Sequence, residues 1–121
     1  MASETFTDRT LTLELNDEDN VNVVWRGKST ARDPAQFILP ILAKALDLAG
    51  KSHKALVFDF RRLEYMNSST VTPLIRILDQ AKKGGTQLTL IYNKGLKWQT
   101  LNFTALEVFH TDDKRIEIRG V

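Results

Sequence analysis

Asn67-Ser68-Ser69-Thr70 sets three consecutive hydroxyl side chains, with Thr72 close behind, between an apolar run and a helical stripe. Hydroxyls at such a junction can do two things. A Ser or Thr oxygen can cap the helix by accepting a hydrogen bond from an orphan N–H of its first turn, worth about 1 kcal/mol. Alternatively, a hydroxyl there can accept a phosphoryl group, because a helix N-terminus offers free N–H groups and the positive end of a dipole to an added phosphate. Capping is the commoner use of these residue types, yet a cap needs one hydroxyl and this loop offers three. Both readings stand on the residues alone.

Other chemistries lose their ingredients. The chain has no cysteine, which removes thiol nucleophiles, disulfides, iron–sulfur clusters and thiolate zinc sites together. Two histidines, His53 and His110, lie far apart in sequence and offer neither metal-ligand spacing nor a recognisable triad. Ser68 lacks the G-x-S-x-G surroundings of a nucleophile elbow. Asp59, a lone carboxylate in an apolar run, reads as a hydrogen-bonded structural acid. There is no phosphate loop, and Gly84, Gly85 and Gly95 fit no dinucleotide fingerprint. A non-catalytic chain without cofactor or metal is the expectation.

The elements that must position the hydroxyl loop follow from periodicity. Leucines at 11, 13 and 15 mark a half-buried strand over Thr10–Leu15, and a polar turn leads to a second strand over Val21–Trp25, so a hairpin is predicted. Asp33 and Pro34 read as the cap and first position of a helix whose face is Phe37, Ile38, Ile41, Leu42, Ala45, Leu46 and Ala49, ending at Gly50, with Pro40 expected to kink it or to begin the helix proper after a separate turn over Pro34–Leu39. Ala55–Phe60 is a central strand. Val71, Leu74, Ile75, Leu78 and Ala81 form the next helical stripe, stopped by Gly84-Gly85. Thr86–Tyr92 is another strand. Asn93 is placed to cap a third helix with the stripe Trp98, Leu101, Ala105, Val108 and Phe109, and Arg115–Arg119 alternates as a closing strand. The order β-β-α-β-α-β-α-β predicts an α/β domain with a mixed sheet: a hairpin first, then parallel strands joined by helical crossovers.

Composition agrees with one globular domain over residues 1–121: 42% of residues are apolar and 26% charged, near the average for folded chains. The net charge of +2 hides an asymmetry, since residues 1–50 carry 5 basic against 8 acidic side chains and the remainder 12 against 7. The later positive charge is spread over several elements rather than gathered on one, which argues against nucleic-acid binding. No apolar run approaches the roughly 20 residues of a membrane span, and Met1–Thr10 lacks the apolar centre of a signal peptide. These features predict a cytoplasmic location.

The segment Phe58–Leu78, F-D-F-R-R-L-E-Y-M-N-S-S-T-V-T-P-L-I-R-I-L, resembles the STAS domain of sulphate transporters and anti-sigma factor antagonists. That family's pattern is a strand ending in an aspartate, a loop reading roughly D-S-S/T-G-L-G, and a helix. Here the strand is Leu56–Phe60, the loop Asn67–Thr72 and the helix Pro73–Ala81, and the resemblance runs over about residues 10–119. It implies a regulatory domain that binds a protein partner, a serine kinase acting as an anti-sigma-type regulator, and that is reset by a PP2C-type phosphatase. The phosphoacceptor falls on Ser68, with Ser69 as the alternative, and the partner surface on Asn67, Ser68, Ser69, Thr70, Thr72 and Arg76. Asn67 replaces the family's aspartate, and Thr70 and Thr72 replace its glycines, which marks a divergent branch. A phosphorylation-independent scaffold, or an accessory subunit of a signalling, transport or lipid-handling complex, is the alternative.

Overall fold

Strict alternation sets the first layer of the structure. In the computed structural model, which describes residues 2–121, β2 (Leu11–Asp17) buries Leu11, Leu13 and Leu15, and β3 (Val21–Ser29) buries Val21, Val23 and Trp25. The two pair antiparallel with Asp17 opposite Val21. A further strand, β1 (Ala2–Asp8), precedes them and pairs with β2 through a two-residue turn at Arg9-Thr10. The alternation that starts at Thr10 gives no sign of β1. Its segment carries one large apolar side chain, Phe6, and Arg9 takes a positive φ of 57° that turn chemistry normally assigns to Gly or Asn.

From β3 onward, every connection is a helical crossover to a parallel neighbour. α1 (Ala35–Ser52) leads to β4 (Leu56–Met66), α2 (Val71–Gly84) to β5 (Leu88–Tyr92), and α3 (Lys97–Thr104) to β6 (Ile116–Gly120). The sheet order is β1-β2-β3-β4-β5-β6, with β3 through β6 parallel. Right-handed crossovers that always step the same way deposit all three helices on one face. The core lies between them and the sheet. Trp25, Phe60, Phe103 and Tyr92 form an aromatic chain through it, with centroid separations of 4.6, 4.6 and 5.5 Å.

Several helix expectations are corrected by packing. α1 runs unbroken through Pro40, which is exposed and forfeits one backbone bond while the buried face of Ile38, Ile41, Leu42, Ala45 and Ala49 holds the helix to the sheet. Asp33 makes no side-chain cap, and the helix passes Gly50 to end at His53, whose left-handed backbone (φ 55°) donates to Ala49 and Gly50 carbonyls. In α2 the inward side chains are Leu74, Ile77, Leu78 and Ala81, whereas Ile75 is 40% exposed. The third helical segment differs most: α3 ends at Thr104 and a 3-10 turn continues over Ala105–Phe109, Leu101 and Val108 are 74% and 78% exposed, Ala105 is exposed too, and the buried side chains are Gln99, Phe103 and Leu106. Asn93 caps no helix; its side-chain Oδ1 accepts from Gly95 N–H.

β4 is eleven residues long, well beyond the expected Ala55–Phe60. Its pairing with β5 ends at Asp59–Ile91. β3 continues beside it, because Gly27 takes φ 83° at a position where a Cβ would lie 2.0 Å from the Thr10 carbonyl oxygen. The register shifts there, and Ser29 comes opposite Met66. This brings the carboxyl ends of β3 and β4 together directly beneath the hydroxyl loop.

Candidate functional site

The loop after β4 is tied down by one amide. Asn67 has extended backbone (φ −80°, ψ 169°) and its side chain caps the short 3-10 turn Ser68–Thr70 that runs into α2. Its Oδ1 accepts from Thr70 N–H at 3.2 Å and from Thr70 Oγ1 at 2.7 Å. Its Nδ2 donates to the Ala31 carbonyl at 2.9 Å, and its backbone N–H donates to the Ser29 carbonyl at 3.0 Å. Thr70 Oγ1 also lies 2.7 Å from Ser29 Oγ. Since the Thr70 proton is committed to Asn67, Ser29 is the donor in that pair. The chain Ser29–Thr70–Asn67–Ala31 thus joins the ends of β3 and β4 to the start of α2.

This geometry separates the hydroxyls by role. Thr70, expected on the partner surface, is fully buried and structural, so its replacement of a family glycine serves the loop's own network. Ser68, Ser69, Thr72 and Arg76 are exposed, and Asn67 is half-buried. Among the described residues neither serine hydroxyl makes a hydrogen bond, so capping, the commoner reading of such hydroxyls, falls to Asn67 rather than to Ser68 or Ser69. Asn67 also explains its own departure from aspartate. A carboxylate would keep the acceptor toward Thr70, but it would face the Ala31 carbonyl with a second acceptor where the amide now donates.

Ser29 and the Ala31 carbonyl were not legible as parts of this site, since they lie 41 and 36 residues from their partners and no motif marks them. Asp59 points to the sheet face away from the helices, where Arg61 grips it in a fork with N···O distances of 3.0 and 2.7 Å, in keeping with its reading as a hydrogen-bonded structural acid. Burial raises its pKa, but the Arg61 hydrogen bonds and the charges of Arg61 and Arg62 together outweigh that and hold it below the ordinary carboxylate value. It takes no part in the Ser68 loop. The described residues hold no cluster of metal-ligating side chains, and none of their helices is long and apolar enough to cross a membrane.

Comparison with known proteins places the fold. No protein-family model and no curated protein matches the sequence. Among solved structures, an anti-sigma factor antagonist from Mycobacterium paratuberculosis superposes with a TM-score of 0.56 at 18% identity, over 87% of this chain and 90% of that one. A protein of the DUF3478 family with a SpoIIAA-like fold, from Shewanella loihica, aligns with a TM-score of 0.49 at 12% identity, over 98% and 84% of the two chains. By fold, this is a STAS-like α/β domain. The mixed sheet, an antiparallel start followed by parallel strands joined by helical crossovers, is the arrangement that the order of the elements predicted and the Phe58–Leu78 resemblance implied.

Proposed function

We propose that this chain is a non-catalytic regulatory domain that acts in the cytoplasm and binds a serine kinase of the anti-sigma type through Ser68, Ser69, Thr72 and Arg76, with Asn67 presenting the loop. Transfer of a phosphoryl group from ATP to Ser68 Oγ releases the partner, and a PP2C-type phosphatase restores the free hydroxyl. Ser69 is the alternative acceptor. The observation that carries this reading is the division of labour in the loop: Asn67, Thr70 and Ser29 hold its shape, and the exposed Ser68 hydroxyl is left uncommitted. A phosphate can be added there without breaking any bond that the fold uses. It sits at the N-terminal end of the helix, where its charge is favoured by roughly 0.3–1 kcal/mol.

Co-expression with the cognate kinase, followed by intact-mass measurement and peptide mapping, tests the proposal directly. One added phosphate on Ser68 is expected, absent from Ser68→Ala. Ser68→Asp should weaken the kinase complex at least tenfold, in line with the ~2–5 kcal/mol that a misplaced buried charge costs at an interface. Unaltered binding by Ser68→Asp, with no phosphate on either serine, would favour the scaffold alternative.

A further inference from the structure

The sheet face opposite the helices carries a second feature that the Ser68 loop does not use. Between the paired positions Val24–Asp59 and Arg26–Arg62, β4 contains one residue more than β3, so Trp25 faces both Phe60 and Arg61. This is a β-bulge, a device that re-aims side chains at a chosen point of a strand. Phe60 enters the core, while Arg61 and Arg62 both emerge on the outer surface. With Val24, Arg26 and Asp59 they line an open cavity of about 350 Å³, at the small end of the range typical of ligand sites.

Three features show that the cavity's positive charge is not fully answered from within. Arg26 and Arg62 stand directly opposite each other across the β3–β4 ladder, an arrangement in which like charges repel. Arg61 is committed to Asp59, and Arg26 reaches Glu14 only at 3.6 Å, through one terminal nitrogen. Arg26 Nε is buried without a hydrogen-bond partner, and Arg62 has no carboxylate within 4.0 Å among the described residues. The same ladder row continues outward into Thr12 and Thr7, whose hydroxyls lie 3.2 Å apart. Donors therefore outnumber acceptors along the row.

We infer that Arg26, Arg61 and Arg62 form a receptor for the phosphate group of a small, soluble phosphate ester. A phosphate monoester carries close to two negative charges at neutral pH. Two opposed guanidiniums match that charge, and their planar forks suit phosphate oxygens as a lysine's point charge would not. The group would bridge Arg26 and Arg62 and relieve their repulsion, leaving the Asp59–Arg61 fork as one wall and Val24 as an apolar floor for the ester's body. Six steps of extended backbone along the end of β4 and Asn67 separate Arg62 from Ser68, about 20 Å at the usual rise. The two sites are distinct, and this one stands whether or not Ser68 is phosphorylated.

Titration of isotope-labelled protein with glycerol phosphate, followed by amide chemical shifts, tests the inference. Saturable changes centred on residues 24–26 and 59–62 are expected. Arg62→Gln and Arg26→Gln should each weaken binding at least tenfold, and Arg62→Lys should weaken it measurably although the charge is kept. Ser68→Asp should bind like the parent chain. Melting curves of each variant establish that the fold is retained, and the exposed Arg62 makes that the expectation. Non-saturating shifts scattered over the basic surface, equal affinity in Arg62→Gln, or binding confined to anionic lipid vesicles would each overturn the assignment.

Discussion

Two amide side chains secure the upper part of β4, and they work over different ranges. Asn67 is half-buried, caps the turn three residues ahead of it and reaches across to one neighbouring carbonyl. Gln99, on α3, is fully buried and joins three segments. Its Nε2 donates to the Phe60 and Leu63 carbonyls at 2.7 and 2.9 Å, and its Oε1 accepts from Asn93 N–H at 2.7 Å. The need for Gln99 comes from topology. β5 leaves β4 after Asp59, so the Phe60 and Leu63 carbonyls take their donor from Gln99 rather than from β5, because a buried backbone oxygen must find a donor. The difference teaches that the loop bearing the exposed serines combines a local cap with bonds to the distant Ser29 and Ala31, whereas the strand that carries it depends on contacts visible only in three dimensions.

The sharpest way to break that comparison is Gln99→Leu. The substitution keeps volume but strands two buried carbonyls and one N–H, each worth roughly 1–3 kcal/mol when unmet, so a loss of about 4 kcal/mol is expected in denaturant melts. A loss below about 1 kcal/mol would mean that water takes over the role of the amide.

Asn67→Asp should cost less, about 1–3 kcal/mol at neutral pH, because one donor is lost and one carbonyl is left facing a carboxylate. Urea midpoints of the two forms measure it. Equal midpoints would show that the Ala31 contact contributes nothing and that the family aspartate would serve equally well here.

Smaller still is the effect of Asp59, whose ion pair is half open to water through Arg61. A carboxyl held below its ordinary pKa stabilises the fold above that ordinary value, near pH 4, and the contribution is lost as pH falls through the lowered folded-state value. The stability difference between the parent chain and Asp59→Asn should be under about 1 kcal/mol. It should be constant from neutrality down to about pH 5 and shrink at more acid pH. A difference that grows on acidification would contradict the Arg61 grip.

Ser68→Ala should have the smallest effect on stability, within about 0.5 kcal/mol, because its hydroxyl holds nothing. If it instead loses the ~1 kcal/mol of a cap, the division between Asn67 and Ser68 fails.

The order of elements from β2 onward was readable from the chain because each carries its own pattern: alternation in β2 and β3, apolar stripes in α1 and α2, a Gly stop at Gly85. The hydroxyl loop was readable for the same reason, since Asn67 and Thr70 are three residues apart. What failed did so where local pattern and tertiary demand diverge. Ile75 and Ile77 are equally apolar, and only the angle at which α2 meets the sheet selects Ile77 for burial. Leu101 and Val108 imitate a core stripe, while the face that actually packs contains a glutamine, because the unpaired β4 carbonyls require a donor there rather than a hydrocarbon.

By itself, then, the sequence determined the strand–helix alternation from β2 onward and the place of Ser68 at a strand-to-helix junction, since both are properties of neighbouring residues. Tertiary structure decided that Ser29 would lie against Thr70, that the β4 bulge would aim Arg61 and Arg62 toward Arg26, and that Gln99 would replace a missing strand. Each of these joins residues more than 30 positions apart, and their meeting is set by register and crossover geometry, which no local pattern encodes.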